Sequence, residues 1–179
     1  LKFHETFGTF GYLMKLRAET LRDLGACMSP FNAFLIAQGI ETLPLRMRQH
    51  VSNAESVADY LSHNDKIAAV HYAGSQGARQ ADLVDKYLPK GAGAVFCFDL
   101  EGGRDAGVKL IENLHLFSHL ANVGDAKSLV IHPATTTHRQ LGDDELAASG
   151  IGPGTIRVSI GIEDTEDLIA DLDHAIGLL

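Results

Sequence analysis

Apolar residues recur along much of the chain at the spacing of an amphipathic helix. The longest such stripe runs from Leu43 to Leu61, with charged and amide side chains at most of the remaining positions. Pro44 is compatible with this helix because it stands near the start, where its missing N–H is tolerated. Further helices are predicted over residues 78–88, from Gly103 to about Leu114, over 143–148, and over a last stretch that ends at Leu179.

Shorter apolar or alternating runs predict strands, which fall at residues 67–70, 94–100, 129–131 and 155–161. From residue 47 onward the order is helix, strand, helix, strand, helix, strand, strand, helix. This order predicts a sheet with helices laid on one face, in the α/β or α+β class. The chain shows no internal repeat and no tract of low complexity.

Residues 1–46 differ from the rest, because five of the eight phenylalanines fall there. Apolar spacing predicts a helix that ends at Gly25, and a second helix that begins with Ser29 as N-cap and Pro30 at its first position. Both helices carry more apolar surface than exposed elements usually do. We therefore expect this segment to pack onto something absent from the chain. A compact monomer in solution scattering, with the segment folded onto residues 47–179, would contradict that expectation.

Composition narrows the class of protein further. Hydrophobic residues make up 45% of 179, which is enough for a packed core. The formal net charge of -8 disfavours nucleic acid and anionic membrane surfaces as partners. No apolar run approaches the length of a membrane span, and the first residues lack a signal-peptide pattern. Cys27 and Cys97 fit no paired motif, which favours two buried thiols in a cytosolic protein over a disulfide.

The most informative stretch is the segment 122–138, where two polar loops flank a short apolar strand. Leu129, Val130 and Ile131 form the strand, and Pro133 ends it because proline cannot donate to a sheet ladder. A run of threonines and His138 follow. The plain interpretation is a strand between two solvated turns. However, loops that a rigid strand holds in place often carry binding groups.

Arg157 is the strongest candidate for a binding residue. It lies inside the alternating strand 155–161, on the face opposite to Ile156 and Val158. Arginine rarely lies unpaired on a half-buried strand, and its planar fork can bind a carboxylate through two parallel hydrogen bonds. The alternative is an internal salt bridge to one of the chain's own acids.

Asn122 and Ser128 are weaker candidates on the preceding loop. The Asn122 amide can donate to a substrate carboxylate, although asparagine also commonly caps a turn of its own loop. Ser128 could approach a ligand, although a structural hydroxyl is the simpler interpretation. Lys127 lacks an apolar surrounding that would depress its pKa, and Ala126 stands where a phosphate-binding loop needs its second glycine.

Nine histidines raise the question of a metal site. His115 and His119 lie four residues apart and could share one helical face, but no further ligands follow at a recognisable spacing. We therefore expect no metal. His132 and His138, on either side of the threonine run, are expected to hydrogen-bond the backbone.

The segment Asn-Val-Gly-Asp-Ala-Lys-Ser-Leu-Val-Ile-His-Pro-Ala-Thr-Thr-Thr-His at 122–138 resembles the C-terminal part of O-acetylhomoserine sulfhydrylases, which are pyridoxal-phosphate enzymes of cysteine and methionine metabolism. The likeness extends over nearly the whole chain. It includes the segments 21–25, 29–34, 38–47, 86–91 and 157–163. Several motifs in the right order are far more specific than one.

The resemblance implies the C-terminal small domain of a fold-type I pyridoxal-phosphate transferase, with a mostly antiparallel sheet and helices on one face. Residues 47–179 would form that domain, and residues 1–46 the C-terminal end of the large cofactor domain. Family members hold the cofactor as a Schiff base on a lysine in the large domain. No segment here resembles the surroundings of that lysine, so we expect a fragment without a catalytic lysine or cofactor ligands. Family members are usually homo-tetramers.

In the family, the arginine of the motif Arg-x-Ser-x-Gly-x-Glu grips the α-carboxylate of the substrate, and the matching residue is Arg157. Asn122 stands where cystathionine synthases and lyases usually carry serine, which favours the sulfhydrylase branch.

The implied reaction is the replacement of acetate in O-acetyl-L-homoserine by sulfide or a small thiol. The alternatives are a cystathionine γ-synthase or β-lyase, or a non-catalytic module that dimerises through residues 1–46. We expect the 179 residues alone to be inactive. Tyr72-Ala-Gly74 and residues 76–79 differ from the usual family sequence, so the resemblance does not define the geometry of this turn.

Overall fold

The computed structural model describes residues 2–75 and 81–179, with only the main chain described at Asp143. The chain divides into two compact units, Leu1–Thr42 and Leu43–Leu179. The sequence places a domain boundary at 46/47, and the assignment of residues 1–46 to the end of a cofactor domain stays a prediction. Two features of the sequence lie outside the described residues. They are residues 76–79, which depart from the family's usual sequence, and the start of the helix predicted over 78–88.

The first unit is helical. It contains α1 (Lys2–Phe7), α2 (Gly11–Lys15), α3 (Arg22–Leu24) and α4 (Pro30–Glu41), with a 3-10 turn over Gly8–Phe10 and a π-helical stretch over Leu16–Leu21. Gly25 ends α3 at φ 64°, a left-handed conformation that glycine adopts without strain. Ser29 caps α4, because its hydroxyl accepts a hydrogen bond from the Asn32 amide at 3.2 Å. Both predicted helix boundaries are therefore confirmed.

Large apolar side chains of the first unit are solvent-exposed in this chain. Phe10, Tyr12 and Phe31 are 67%, 81% and 68% exposed, and α4 has no buried residue. A helix with apolar residues on most sides normally lies in a protein interior. These exposures agree with the hypothesis that the unit packs onto something absent from the chain, which stays a prediction.

In its described residues, the second unit combines five α-helices and a 3-10 turn over Pro133–Thr135 with one five-stranded sheet. The helices are α5 (Leu43–Ser62), α6 (Ala81–Tyr87), α7 (Gly103–Asn113), α8 (Asp143–Ala148) and α9 (Thr165–Gly177). The strands are β1 (Ile67–His71), β2 (Val95–Leu100), β3 (Ser118–His119), β4 (Leu129–Ile131) and β5 (Thr155–Ser159). The strand order is β1-β2-β5-β4-β3, antiparallel except for the pair β3–β4. The predicted class, a mostly antiparallel sheet with helices, is confirmed.

One face of the sheet forms the hydrophobic core with α5, α7 and α9. Phe98 lies opposite Ile156, and Phe96 lies opposite Val158, so these side chains share that face. All four are at most 3% exposed. The helices contribute a matching set of buried residues, which are Ala54, Val57, Leu61, Leu110, Leu168 and Leu172. The opposite face is consequently left to Cys97, Arg157 and their neighbours.

Two smaller expectations can be compared with this structure. None of the helices within the described ranges combines the length and apolar composition that crossing a bilayer requires. Cys97 is half-buried, but Cys27 is exposed, so the prediction of two buried thiols is wrong for Cys27. The reason is that Cys27 follows α3 in a connection of the first unit, which contains few buried side chains.

Candidate carboxylate-binding site

Four side chains form a row across the sheet on the face opposite the core. Strand pairing aligns His71 of β1 with Cys97 of β2, Cys97 with Arg157 of β5, and Arg157 with Ile131 of β4. Residues paired in this way point to the same face. The row therefore places a histidine, a thiol and a guanidinium beside one another on the strands of a rigid sheet.

A cavity of about 440 Å³ lies over this row. Its wall is mostly apolar, with Arg157 as its cation, and it also includes loops that follow β4 and α8. The lining residues are His71, Cys97, Ala121, Ile131, Pro133, Thr137, His138, Gly150, Ile151, Thr155 and Arg157. A mostly apolar hollow with a few polar groups is the usual form of a small-molecule site.

Arg157 is half-buried and, among the described residues, has no acidic partner. Its Nη2 atom donates one long hydrogen bond of 3.5 Å, to the main-chain oxygen of Asn122. Within residues 2–75 and 81–179, no carboxylate lies within ion-pair distance of it. The alternative of an internal salt bridge thus finds no support in the described residues. A half-buried guanidinium in this position can bind an external carboxylate by donating two parallel hydrogen bonds from its planar fork.

The acid nearest along the strands is already engaged. Asp99 of β2 pairs with His71, whose Nε2 atom lies 2.6 Å from Asp99 Oδ2. Its other oxygen accepts a hydrogen bond from the Thr155 hydroxyl, which in turn accepts from the Gly152 amide at 2.8 Å. Both carboxylate oxygens of Asp99 are therefore already engaged by groups other than Arg157.

Cys97 does not neutralise Arg157 either. Burial raises the pKa of its thiol, the nearby Arg157 guanidinium acts in the opposite direction, and Asp99 adds to the increase. The thiol consequently stays protonated at neutral pH, because burial disfavours the thiolate. As far as the described side chains show, the positive charge of Arg157 on the cavity wall has no ion-pair partner, which suits an anionic ligand.

Asn122 meets Arg157 through its main chain and not through its side chain. The residue is exposed, and its Oδ1 atom accepts a hydrogen bond from the Val123 amide at 2.8 Å. This contact corresponds to the turn-capping alternative that the sequence left open. The structure therefore brings residues 122 and 157 together, while the role of the Asn122 amide in substrate binding stays a prediction.

Ser128 lies in the protein interior and not on the cavity wall. It is fully buried, its hydroxyl donates to Glu163 at 2.9 Å, and the same oxygen accepts from the Gly161 amide at 2.8 Å. These contacts describe a structural hydroxyl, which the sequence also allowed. We therefore do not include Ser128 among the groups that would touch a substrate, although it stands close to them in sequence.

The histidines divide into different roles. His115 lies in a turn after α7, and His119 lies in β3, so the suggestion of a shared helical face is wrong because the helix ends at Asn113. His138 was predicted to hydrogen-bond the backbone, but its ring lies 2.9 Å from the Thr137 hydroxyl. His132 is buried, and its Nε2 atom lies 2.8 Å from the Pro153 carbonyl oxygen, as predicted.

His132 should make the protein less stable in mild acid. Burial lowers the pKa of His132, and the positive charge of Arg104 acts in the same direction, although the Pro153 carbonyl opposes it. The unfolded chain takes up a proton near the ordinary value of about 6.5, whereas the folded chain resists it. The contribution of His132 to the free energy of unfolding is therefore fully present above about pH 6.5. It decreases as the pH falls from there through the lowered folded pKa.

Urea unfolding between pH 5 and 7.5 measures this effect. We expect the decrease in stability below pH 6.5 to become shallower in His132→Gln and to stay unchanged in His63→Gln, which removes an exposed histidine. Equal slopes in the wild type and His132→Gln would show that His132 does not cause the acid sensitivity.

The lysines of this chain do not fit the covalent attachment of a carbonyl cofactor. Lys127 is exposed, and the Lys66 ammonium donates to the Ile176 and Gly177 carbonyl oxygens at the end of α9. The other five lysines are exposed, and no lysine lines the cavity in the described part of the chain. A Schiff-base lysine needs a protected setting that lowers its pKa. We therefore derive no reaction step through such a group from these residues.

The fold is an α/β module whose sheet places Arg157 on the wall of a mostly apolar cavity. Residues 9–177 match the family described as Cys/Met metabolism PLP-dependent enzyme, where PLP is pyridoxal phosphate. The chain belongs to this family, whose members depend on pyridoxal phosphate.

Three individual proteins illustrate which members of the family this chain is similar to. An O-acetyl-L-homoserine sulfhydrylase of Leptospira meyeri is 45% identical over 98% of this chain and 42% of its own length. An L-methionine gamma-lyase of Porphyromonas gingivalis is 41% identical over 96% of this chain and 43% of its own length. A similar solved structure is a crystal structure described as a putative O-acetylhomoserine (thiol)-lyase of Campylobacter jejuni with N'-pyridoxyl-lysine-5'-monophosphate. The two structures superpose with a TM-score of 0.84 at 40% sequence identity. The match covers 96% of this chain and 40% of the Campylobacter jejuni chain. The chain thus spans about two fifths of the length of these relatives.

Proposed function

We propose that the chain supplies the substrate-carboxylate site of an O-acetylhomoserine sulfhydrylase. The observation that carries this proposal is the Arg157 guanidinium, which lies on a cavity wall without an acidic partner among the described residues. The family membership supports the amino-acid class of the substrate. The name of the Leptospira meyeri relative supports the sulfhydrylase reaction in particular.

In this proposal Arg157 binds the α-carboxylate of O-acetyl-L-homoserine through two parallel hydrogen bonds. The mostly apolar wall around it keeps competing water away, which strengthens that interaction. A substrate fixed at one end loses freedom before the reaction, and this lowers the entropic part of the barrier. Pyridoxal phosphate, when bound, supplies the electron sink for the reaction.

The proposed reaction releases acetate from O-acetyl-L-homoserine and adds hydrogen sulfide, which gives L-homocysteine. With methanethiol as the sulfur donor the product is methionine. We further propose that residues 47–179 act as the small C-terminal domain, beside a cofactor-binding domain that supplies the attachment lysine. Residues 1–46 would form the end of that cofactor-binding domain. A cytoplasmic homo-oligomer is the assembly we expect.

The 179 residues alone are expected to be inactive, because their lysines do not fit cofactor attachment. Mixed with pyridoxal phosphate, they should show no absorbance band of a lysine-bound cofactor and no release of acetate from O-acetyl-L-homoserine. The positive control is the same assay with a protein that joins these residues to a cofactor-binding domain. Turnover by residues 1–179 alone would contradict the proposed division of labour.

A carbon–sulfur lyase is the second candidate, because one relative at 41% identity is named L-methionine gamma-lyase. Product analysis of the full-length protein separates the two. Homocysteine formed from O-acetyl-L-homoserine and sulfide supports the sulfhydrylase. Release of methanethiol from L-methionine at a higher kcat/KM would favour the lyase, and cystathionine formed with L-cysteine would favour a cystathionine synthase.

A further inference from the structure

Glu163 joins the loop before β4 to the segment that follows β5. One carboxylate oxygen accepts from the Ser128 amide at 2.6 Å, and the other accepts from the Ser128 hydroxyl at 2.9 Å. The Ser128 hydroxyl accepts from the Gly161 amide, and the Ile162 amide donates to the Ala126 carbonyl oxygen at 2.9 Å. We call this set of hydrogen bonds between residues 126–128 and 161–163 the Glu163 junction.

The junction depends on a very close approach of the two segments. A Cβ atom at Gly161 would lie only 2.5 Å from the Ala126 carbonyl oxygen and would also meet the Glu163 carboxylate. Any side chain there would push the two segments apart. Hydrogen bonds to an ionised carboxylate are stronger than those between neutral groups. The half-buried Glu163 therefore stabilises the junction more than a neutral acceptor would.

Asn53 anchors the same segment to α5. Its amide nitrogen donates to the carbonyl oxygens of Gly161 and Glu163, at 3.1 and 2.8 Å. Its amide oxygen accepts from Gln49 at 2.8 Å and from Thr165 at 2.7 Å. The buried amide thus uses its full capacity of two donated and two accepted bonds. The segment 161–163 is therefore a fixed support for whatever Glu163 holds.

Glu163 holds the loop 120–128, which has little other support. Its residues are mostly exposed up to Lys127, and two of its amides are capped within the loop itself, by Asn122 and Asp125. In the described residues, its other hydrogen bonds to the sheet are the long Arg157 contact and two bonds with Ser118 of β3. The Leu120 amide donates to the Ser118 carbonyl oxygen, and the Ser118 amide donates to the Ser128 carbonyl oxygen. Removing the junction would consequently free the segment that borders Arg157.

We propose that Glu163 is a positioning residue for the carboxylate site. It holds the loop 120–128 against the end of β5, so that the main chain at Asn122 stays beside the Arg157 guanidinium. The inference rests on the proposed function, because it concerns the same arginine. Glu163 does not line the cavity, and its effect is expected to pass through the loop and Arg157.

The test compares Glu163→Gln with Glu166→Gln in the full-length enzyme. Glu166 is exposed in the first turn of α9 and provides the same change of charge three positions away. We expect Glu163→Gln to raise KM for O-acetyl-L-homoserine about ten-fold, as loss of one charged hydrogen bond would, with a smaller change in kcat. Glu166→Gln should leave both within about two-fold. Ser128→Ala, which removes two bonds of the junction, should act in the same direction as Glu163→Gln.

Two further measurements separate positioning from general stability. Hydrogen exchange should become faster at the amides of 121–127 in Glu163→Gln, and not in α7 or β2. In an Arg157→Ala background, Glu163→Gln should cause no further rise in KM, because the group through which it acts is gone.

The outcomes distinguish the two proposals. If Arg157→Ala raises KM while Glu163→Gln and Ser128→Ala leave it unchanged, the positioning role is wrong and the carboxylate site stands. If Arg157→Ala changes nothing, the proposed function fails, whatever the exchange rates show. Faster exchange throughout the protein, or additive effects of the two substitutions, would show Glu163 to be a general structural residue and would overturn the inference.

Discussion

Arg157→Ala is expected to lower kcat/KM for O-acetyl-L-homoserine by about a hundred- to a thousand-fold, which corresponds to about 3–4 kcal/mol. Truncating one partner of a hydrogen-bonded ion pair has a cost of this size, because the substrate carboxylate is then desolvated without compensation. The described residues offer no second cation on the cavity wall apart from histidine, so no neighbour replaces the guanidinium. Steady-state kinetics of the full-length enzyme measure the loss.

Two matched variants sharpen this prediction. Arg157→Lys keeps the charge and loses the planar fork, so it should fall between the wild type and alanine. Arg48→Ala removes an exposed arginine on α5 and should leave kcat/KM within about two-fold. A loss below three-fold in Arg157→Ala, with the fold intact by circular dichroism, would mean that another group binds the carboxylate.

The sequence could place Arg157 on the face opposite the core, because it falls at a polar position of a short alternating strand. The other members of its row could not, since His71 and Cys97 belong to strands that come much earlier in the chain. Which residues of different strands lie opposite one another depends on the pairing register, which the period of a single strand does not reveal. The cavity wall therefore emerges only from the folded sheet.

The two loop candidates show a different difficulty. Asparagine can use its side chain on a ligand or on its own backbone, and the sequence offers no means of choosing between these uses. The structure shows Asn122 capping Val123, with its carbonyl group beside Arg157. Ser128 was a candidate because it belongs to the polar loop that precedes β4. The motif around Gly161 and Glu163 contains its partners, but only the fold brings them within reach.

Elements with a long amphipathic stripe or an uninterrupted apolar run between polar loops were the easiest to predict. The strand at residues 129–131 agrees with its prediction to the residue, and the long helix predicted from Leu43 to Leu61 extends one residue further as α5. β3 was missed because two residues cannot show a period. The helix predicted from the apolar residues between Tyr12 and Leu24 was expected to be continuous, but a π-helical stretch over Leu16–Leu21 separates α2 from α3. Gly8 at φ 55° lies in the 3-10 turn before that helix, which its conformational freedom permits.

Phe98→Ala is expected to have the largest effect on stability, a loss of about 3–5 kcal/mol in the free energy of unfolding. Phe98 is completely buried at the centre of β2, between Val70 of β1 and Ile156 of β5. Truncation removes the apolar contacts of the ring and leaves a cavity that the packed helices can fill only partly. Because whole domains are stable by only about 5–15 kcal/mol, the variant will lie close to unfolding. Urea denaturation at pH 7 measures the difference.

Phe98→Leu provides a milder version, with an expected loss of about 1–2 kcal/mol, and remains measurable if the alanine variant does not fold. Val108→Ala on the exposed side of α7 is the control and should change stability by less than about 1 kcal/mol. Phe98 and Arg157 point to opposite faces of the sheet. The leucine variant should therefore keep its kcat/KM at temperatures where it is folded. A loss of activity without a loss of stability would show that the two faces are coupled, and would contradict the assignment of one face to the core and the other to the site.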